Sequence, residues 1–322
     1  MMQSTAREAE STLATAPDAA GHTAYDWLGA IPFVLCHVAV LGVFWSGVTL
    51  ESVALGIALL FVRTWGVTGG YHRYFSHRTY QTSRAFQLVL AVLAQTSVQK
   101  GALWWAAHHR VHHRESDLPG DVHSPVQRGF WYAHLGWIFA DTEATRWNRI
   151  QDLAGYPELR FLNRWHLLPP VALAVGCFLW MGWPGLFVGF FASTVLLWHA
   201  TFLVNSLAHV RGKRRFPTSD QSRNNLFIAL ATLGEGWHNN HHHFPGSCRN
   251  GFYWWEIDVT YYGLLLLERL GLVWDLRAPP AKVLEAGRRF DLEAKEARRG
   301  RLGLAALPAR APAIFSDPSS LR

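Results

Sequence analysis

Histidine is the residue that stands out in this chain, with 17 copies, most of them in tight groups. His72 and His77 bracket the segment HRYFSH. His109, His112 and His113 sit in HRVHH, and His238, His241 and His242 sit in HNNHH, with His243 next to them. In the last two groups the spacing i, i+3, i+4 places three imidazoles on one helix face, one turn apart. Several neutral imidazoles aimed at one point hold a transition metal such as zinc, copper, iron or nickel. On an α-helix His72 and His77 diverge by about 140°, so they either flank one cluster or serve different ions. Eight such ligands overfill one coordination sphere, and two ions are implied. No HExxH segment is present, which removes the simplest zinc protease chemistry. No Cys falls in the groups either, which suits chemistry with activated oxygen, where a thiolate would itself be oxidised.

The elements that must position these groups read as membrane helices. Half of the residues are hydrophobic and 16% are charged, against about 25% in a soluble domain. Three Cys cannot build a disulfide scaffold. The run Trp27 to Trp45 carries no charge and is long enough for a hydrocarbon core of about 30 Å. Ser52 to Tyr71 carries one, Arg63, which would snorkel or line a cavity mouth. Leu167 to Trp183 and Pro184 to Ala208 are separated only by a turn at Gly182 to Gly185. The expected fold is therefore all-α and integral to the membrane. Four transmembrane helices form two hairpins, over about 27–46, 52–71, 167–183 and 184–208, and a helical cap carries the histidines. Four buried helices of a soluble core is the weaker reading, because charge-free hairpins of this length need lipid or a very large protein around them. Ala85 to Val98 is short and reads as an interfacial or buried helix.

No Lys or Arg lies between Glu8 and Val62, or between Trp165 and Val210. By the positive-inside rule both inter-helix turns face away from the cytoplasm, and the termini and all three histidine groups face it. Residues 1–25 read as a flexible cytoplasmic N-terminus without a signal peptide's basic start, 26–278 as the membrane domain, and 279–322 as a charged tail. A net charge of +7 needs no nucleic acid and suits anionic headgroups or an acidic partner. His37 and His199 stand alone in apolar runs and read as satisfied core residues.

The pattern H-x4-H, H-x2-HH, H-x2-HH on such a scaffold resembles the membrane fatty acid desaturases, in particular the Δ9 acyl-CoA (stearoyl-CoA) branch. The resemblance runs from about Arg63 to Leu276 and is carried by GGYHRYFSHRTY at 69–80, HHRVHH at 108–113, RGFWYAHLGW at 128–137, NSLAH at 205–209 and GEGWHNNHHHFP at 234–245. It is weaker near residues 143 to 190. It implies two non-haem irons held by His72, His77, His109, His112, His113, His209, His238, His241 and His242, with Asn205 acting through a water. His209 is singled out by the resemblance alone. His108 and His243 flank the matched pattern, and His123 and His134 fall in similar segments without being ligands there.

The implied reaction is O2-dependent removal of two hydrogens from a long saturated acyl chain, leaving a cis double bond. Leu60 and Thr64, two and three turns before the first histidines, would line the closed end of the acyl tunnel. The branch carries an Arg-Asp pair before its second box, used at the CoA end, where this chain has Ala107 and His108. Acyl-CoA is the expected carrier, with an acyl-lipid desaturase or a related di-iron lipid hydroxylase as alternatives. Electrons would come from a separate ferredoxin, rubredoxin or cytochrome b5 type donor and its reductase, since neither His-Pro-Gly-Gly nor GxGxxG occurs. A membrane metal transporter is the remote alternative, because it needs ligands at the membrane midplane.

Overall fold

The computed structural model describes residues 26–140 and 144–301 of the 322. The expectation for residues 1–25, and the end of the expected tail, lie outside the described residues. Helices dominate. The strands among the described residues are two residues each, β1 (Gln81–Thr82) and β2 (Val273–Trp274), paired antiparallel.

Helix α1 (Ile31–Val40) carries Pro32 in its first turn and passes through a tighter turn at Leu41 and Gly42 into one more turn at Val43–Ser46. This apolar piece is shorter than the expected first span because the chain before it is turned and tied down. The Asp26 amide donates to the Phe139 carbonyl at 2.8 Å, and the Asp26 carboxylate accepts from the Gly29 amide at 2.9 Å. Helix α2 (Leu50–Trp65) opens on a capping box between Thr49 and Ser52. It then continues without interruption into a π-helix, Gly66–Ser76. The apolar rod Leu50–Ser76 is thus 27 residues long. It overruns the expected end at Tyr71 and carries His72 on its own tip. Its close partner is α3 (Arg84–Gln95), the expected short helix. A Cβ on Gly66 would come within 3.1 Å of the Ala94 nitrogen and one on Gly70 within 3.3 Å of the Leu90 carbonyl oxygen, so glycine at both positions eases the close approach of these backbones.

The second long apolar run is Leu168–Val210. Helix α6 (Leu168–Pro184) is broken inside at Gly182, with φ 60° and ψ −148°, a backbone state that suits glycine. Beyond the break a Cβ on Gly185 would collide with the Cys177 carbonyl oxygen. In a straight helix residues eight apart are separated by about 12 Å, so the chain turns back on itself here. It returns through a π-wound stretch, Gly185–Ala192, into α7 (Ser193–Asn205). Both runs are long and apolar enough to cross a membrane, with mean hydropathy 1.5 and 1.8. Only 11% of the second run's most apolar window is buried. An apolar rod as uncovered as the second suits lipid better than water.

Arg63 neither snorkels nor lines a cavity. It is buried in α2, and its five N–H donors meet five acceptors. Nη1 donates to Thr194 Oγ1 at 2.7 Å and the Thr96 carbonyl at 3.3 Å. Nη2 donates to Ser193 Oγ at 2.6 Å and the Phe190 carbonyl at 3.4 Å, and Nε to the Leu59 carbonyl at 3.2 Å. The guanidinium is a polar rivet joining α2, the end of α3 and the start of α7.

The histidine cap is held by α4 (Ala102–Glu115), α5 (Phe130–His134), α8 (His238–His243) and α9 (Val259–Arg269). From Pro280 on, the described residues form a second compact unit. It holds α10 (Ala281–Arg301), a polar helix with only Val283 and Gly287 buried.

Candidate metal centre

The nine histidines named from the sequence converge into two groups. The ligand nitrogens of His72, His77, His109, His113 and His241 all lie within 4.8 Å of one another, and so do those of His112, His209, His238 and His242. The long rod α2 delivers His72 and His77, α4 delivers His109, His112 and His113, and α8 delivers His238, His241 and His242. His209 sits on a short turn after α7. His72 and His77 share the first group because the rod is π-wound there. The His77 amide donates to the His72 carbonyl at 3.2 Å, five residues back. At about 4.4 residues per turn, i and i+5 diverge by only about 50° instead of 140°.

The donor set fits metal ions. Nε2 of His72 lies 2.9 Å from Nε2 of His241, Nε2 of His113 lies 2.9 Å from the same atom, and Nε2 of His77 lies 2.8 Å from that of His109. In the second group His209 and His238 meet at 3.0 Å. Two nitrogens about 2.1 Å from one ion, at right angles, are about 3.0 Å apart. Nε2 of His242 is buried with no hydrogen-bond partner, an atom ready to bind. Burial, helped by the neighbouring rings, holds His77, His109, His113, His238 and His241 well below the usual imidazole range, so they present lone pairs.

Behind four of the rings stand carboxylates that the sequence reading missed. Nδ1 of His72 is 2.5 Å from Glu235. His112 Nδ1 is 3.1 Å from both Asp121 oxygens, His209 Nδ1 is 2.9 Å from Asp117, and His242 Nδ1 is 2.5 Å from Asp220. A carboxylate there fixes the proton on Nδ1 and turns the Nε2 lone pair inward. Burial works against these charges, yet the facing imidazoles hold Asp117, Asp121 and Asp220 below the usual carboxylate range, and His72 with Arg73 does so for Glu235. For His112 burial is outweighed by Asp121, and the ring is held above its usual range. Glu235 is itself clamped by Arg73 and Asn250, both at 2.9 Å, and Arg73 also meets Asp258 at 2.9 Å.

The remaining candidates separate by position. Asn205 ends α7 and lines the cavity beside His238. His123 faces His112 at a ring distance of 4.4 Å and, with Asp121, makes a third close group. His108 stacks on Trp104 at 4.1 Å, buried against the cavity, and His243 stacks on Phe216 at 4.2 Å, in neither group. His37 and His199 bond to one another.

A cavity opens onto His72, His109, His112 and His238, and a second reaches Phe33, Ile138, Leu167 and Trp198. They share Gln99, Trp104, Trp105, Trp137 and Phe202 as walls. A hydrogen-bonded chain crosses the shared wall, from Trp105 Nε1 to Gln99 at 3.2 Å and from Gln99 to Thr201 at 3.1 Å. From the α2 rod the first cavity is lined by Val67 and Thr68, and neither Leu60 nor Thr64 reaches either cavity. Leu60 packs against the cluster of Cys36, Leu197 and Trp198, and Thr64 is buried with its Oγ1 unpartnered. Counting back from His72 at 3.6 residues per turn assumes an α-helix, and the π-wound stretch changes which face looks inward.

A helical scaffold with long apolar rods, holding buried and half-buried imidazoles in two adjoining groups beside a cavity, could cross a membrane and hold metal ions. Residues 49–262 match the fatty acid desaturase family, and the chain belongs to that family. It is 35% identical over 276 residues to an sn-2 palmitoyl-lipid 9-desaturase of Nostoc sp., covering 83% of this chain and 95% of that protein. It is 37% identical over 250 residues to an acyl-CoA 5-desaturase of Anemone leveillei, 76% of each chain. It is 35% identical over 257 residues to a chloroplastic palmitoyl-monogalactosyldiacylglycerol delta-7 desaturase of Arabidopsis thaliana, 78% of this chain and 69% of that one.

Proposed function

We propose that the chain is an O2-dependent di-iron desaturase that introduces a cis double bond, at the Δ9 position, into a long saturated acyl chain. The observation that carries this reading is the pair of imidazole groups opening onto an apolar cavity. The nine histidines would hold two irons, with Asn205 acting through a water. When bound, the metals supply O2 activation and hydrogen removal. The reaction balances as R–CH2–CH2–R′ + O2 + 2e⁻ + 2H⁺ giving R–CH=CH–R′ + 2 H2O. The chain's own residues hold one methylene pair beside the metals and exclude water, through walls such as Trp105, Trp137 and Phe202.

The electrons fit a separate ferredoxin, rubredoxin or cytochrome b5 type donor and its reductase. The two apolar rods, the reversal at Gly182 and the one-sided Lys and Arg support four crossings, with the histidine cap and both termini cytoplasmic. In this reading residues 26–278 are the membrane enzyme and 279–322 a charged tail.

The acyl-CoA carrier is the first reading. An acyl-lipid carrier has a specific observation in its favour. Ala107 and His108 stand where the branch places an Arg-Asp pair, and both are buried, His108 against Trp104. They offer no charge to a nucleotide headgroup. Two of the relatives above carry lipid names.

Expression in a host lacking its own desaturase, followed by mass spectrometry of its lipids, tests the proposal. Products lighter by two hydrogens are expected. Products heavier by one oxygen would assign a hydroxylase, and an unchanged lipid profile with metal-loaded protein would overturn both.

The cavity walls give a second test. Val67 faces the first cavity, so Val67→Phe should exclude the longest chains and lower the C18:C16 product ratio about tenfold for each methylene refused. Leu60 and Thr64 stay in the proposal at the closed end of the tunnel, behind that wall. Thr64→Val, which removes only a buried unpartnered hydroxyl, should leave the gas-chromatographic profile as it is. A shifted ratio from Thr64→Val with none from Val67→Phe would place the control of chain length on Leu60 and Thr64 alone.

A further inference from the structure

Three histidines outside the metal groups form one continuous hydrogen-bonded chain. His37 Nδ1 meets the Phe33 carbonyl at 2.8 Å, and His37 Nε2 meets His199 Nε2 at 3.2 Å. His199 Nδ1 meets His134 Nε2 at 3.1 Å, His134 Nδ1 meets Ser206 Oγ at 3.0 Å, and Ser206 Oγ meets the Phe202 carbonyl at 2.8 Å. The chain ties α1 to α7 and α7 to α5. Both of its ends are carbonyls, which only accept.

Counting protons shows what this arrangement wants. There are five links, and each needs one proton. A neutral imidazole supplies one, and so does a serine hydroxyl. Three rings and Ser206 supply four, so the neutral chain always leaves one close pair without a proton. One added proton, shared along the rings, completes all five links.

The consequence falls on the acyl cavity. Phe33 and Phe202, whose carbonyls terminate the chain, both send side chains into the second cavity's wall. We propose that His37, His199 and His134 form a one-proton latch: uptake of a proton completes the chain and fastens α1 to α7 and α5 across that wall. The three histidines are positioning residues. They touch neither metal group.

Other charged groups do not compensate. Asp26 is engaged with the Gly29 amide ahead of α1, Tyr132 on α5 takes Arg128 at 2.7 Å, and Cys36 beside His37 is buried in the α1–α7 cluster. Arg63 and Glu51 on α2 and His209 after α7 have the partners Thr194, Thr49 and Asp117. None of these bonds to the three rings. Burial pushes the His134 ring below its usual range and resists the added proton. The unmade fifth link opposes that push, and the proposal is that the link wins.

The test compares the purified full chain with His199→Phe, which keeps the ring's bulk and removes two links. Titration of the metal histidines is common to both, so their difference reports the latch. A group that gains a proton in the fold stabilises below its unfolded pKa and loses that effect as pH rises. Between pH 8 and pH 6 the wild type should therefore gain about 3 °C in Tm over the variant. Parallel profiles, or a wild type that loses ground on acidification, would overturn the latch.

The wall's role rests on the acyl-chain reading, and a kinetic arm tests it. KM for a saturated acyl substrate should be about fivefold lower at pH 6 than at pH 8 in wild type, the size one ordinary hydrogen bond carries. In the variant KM should be flat with pH, with kcat changed less than KM. A KM that varies with pH equally in both would remove the coupling to the cavity. If no product forms from any substrate, the proposed function fails while the thermal arm still decides the latch. Should His199→Phe not fold, His37→Phe removes the two links at the other end of the chain and leaves three links for three protons, and its pH-dependent Tm gap must appear in the same direction.

Discussion

Replacing His241 with Ala should abolish product formation and leave the long apolar helices in place. Its Nε2 lies 2.9 Å from the Nε2 of both His72 and His113, so it joins ligands contributed by three different elements. Residues behind a metal's ligands cost about 10- to 100-fold when altered, and loss of a ligand at the junction should exceed that. The spans lie elsewhere in the chain, so yield and membrane fractionation should match wild type. His243→Ala is the control: two residues on, in the same helix, but stacked on Phe216 in neither group. It should retain most activity. Product yield per milligram of membrane-embedded protein checks both variants. An active His241→Ala, or a His243→Ala as inactive as it, would break the division between ligand and bystander histidines.

Glu235→Gln should cost about 10- to 100-fold in iron retention or turnover. The amide matches the carboxylate in shape and can still accept from His72 Nδ1, but it no longer makes that ring a stronger ligand. It also leaves Arg73 with one carboxylate partner, Asp258, in place of two. Arg73 is 1% exposed, and an under-compensated buried charge destabilises its surroundings. Iron remaining after dialysis against a chelator is the readout, with wild type alongside. Equal retention in the two proteins would mean that Glu235 only packs.

The parts of the site that rest on helical periodicity were legible in the sequence. HRVHH and HNNHH declare their shared faces at α-helical spacing, and α4 and α8 keep that spacing. His72 and His77 could not be assigned in the same way, because nothing in HRYFSH announces a π-wound helix. His209 stands alone after α7 and has no neighbour to form a pattern with. The carboxylates Asp117, Asp121 and Asp220 lie in irregular segments, where a side chain's direction depends on the whole fold. Glu235 sits three residues before His238, yet it serves His72 from another element. The Gly182 turn was visible because two apolar runs meet there with nothing else between them. The first helix came out shorter than its apolar run, since Asp26 anchors the preceding turn to Phe139. Arg63 was misread because five neutral acceptors from four segments meet only after packing. Leu60 and Thr64 are in neither cavity wall, and whether they close the acyl tunnel likewise depends on packing around the rod.

Metal content of the purified protein tests the two-ion reading most directly. Nine imidazoles in groups of five and four overfill a single coordination sphere. Elemental analysis should find about two irons per chain, with the count falling in His241→Ala. One zinc per chain and no iron, in protein prepared without chelators, would contradict the account.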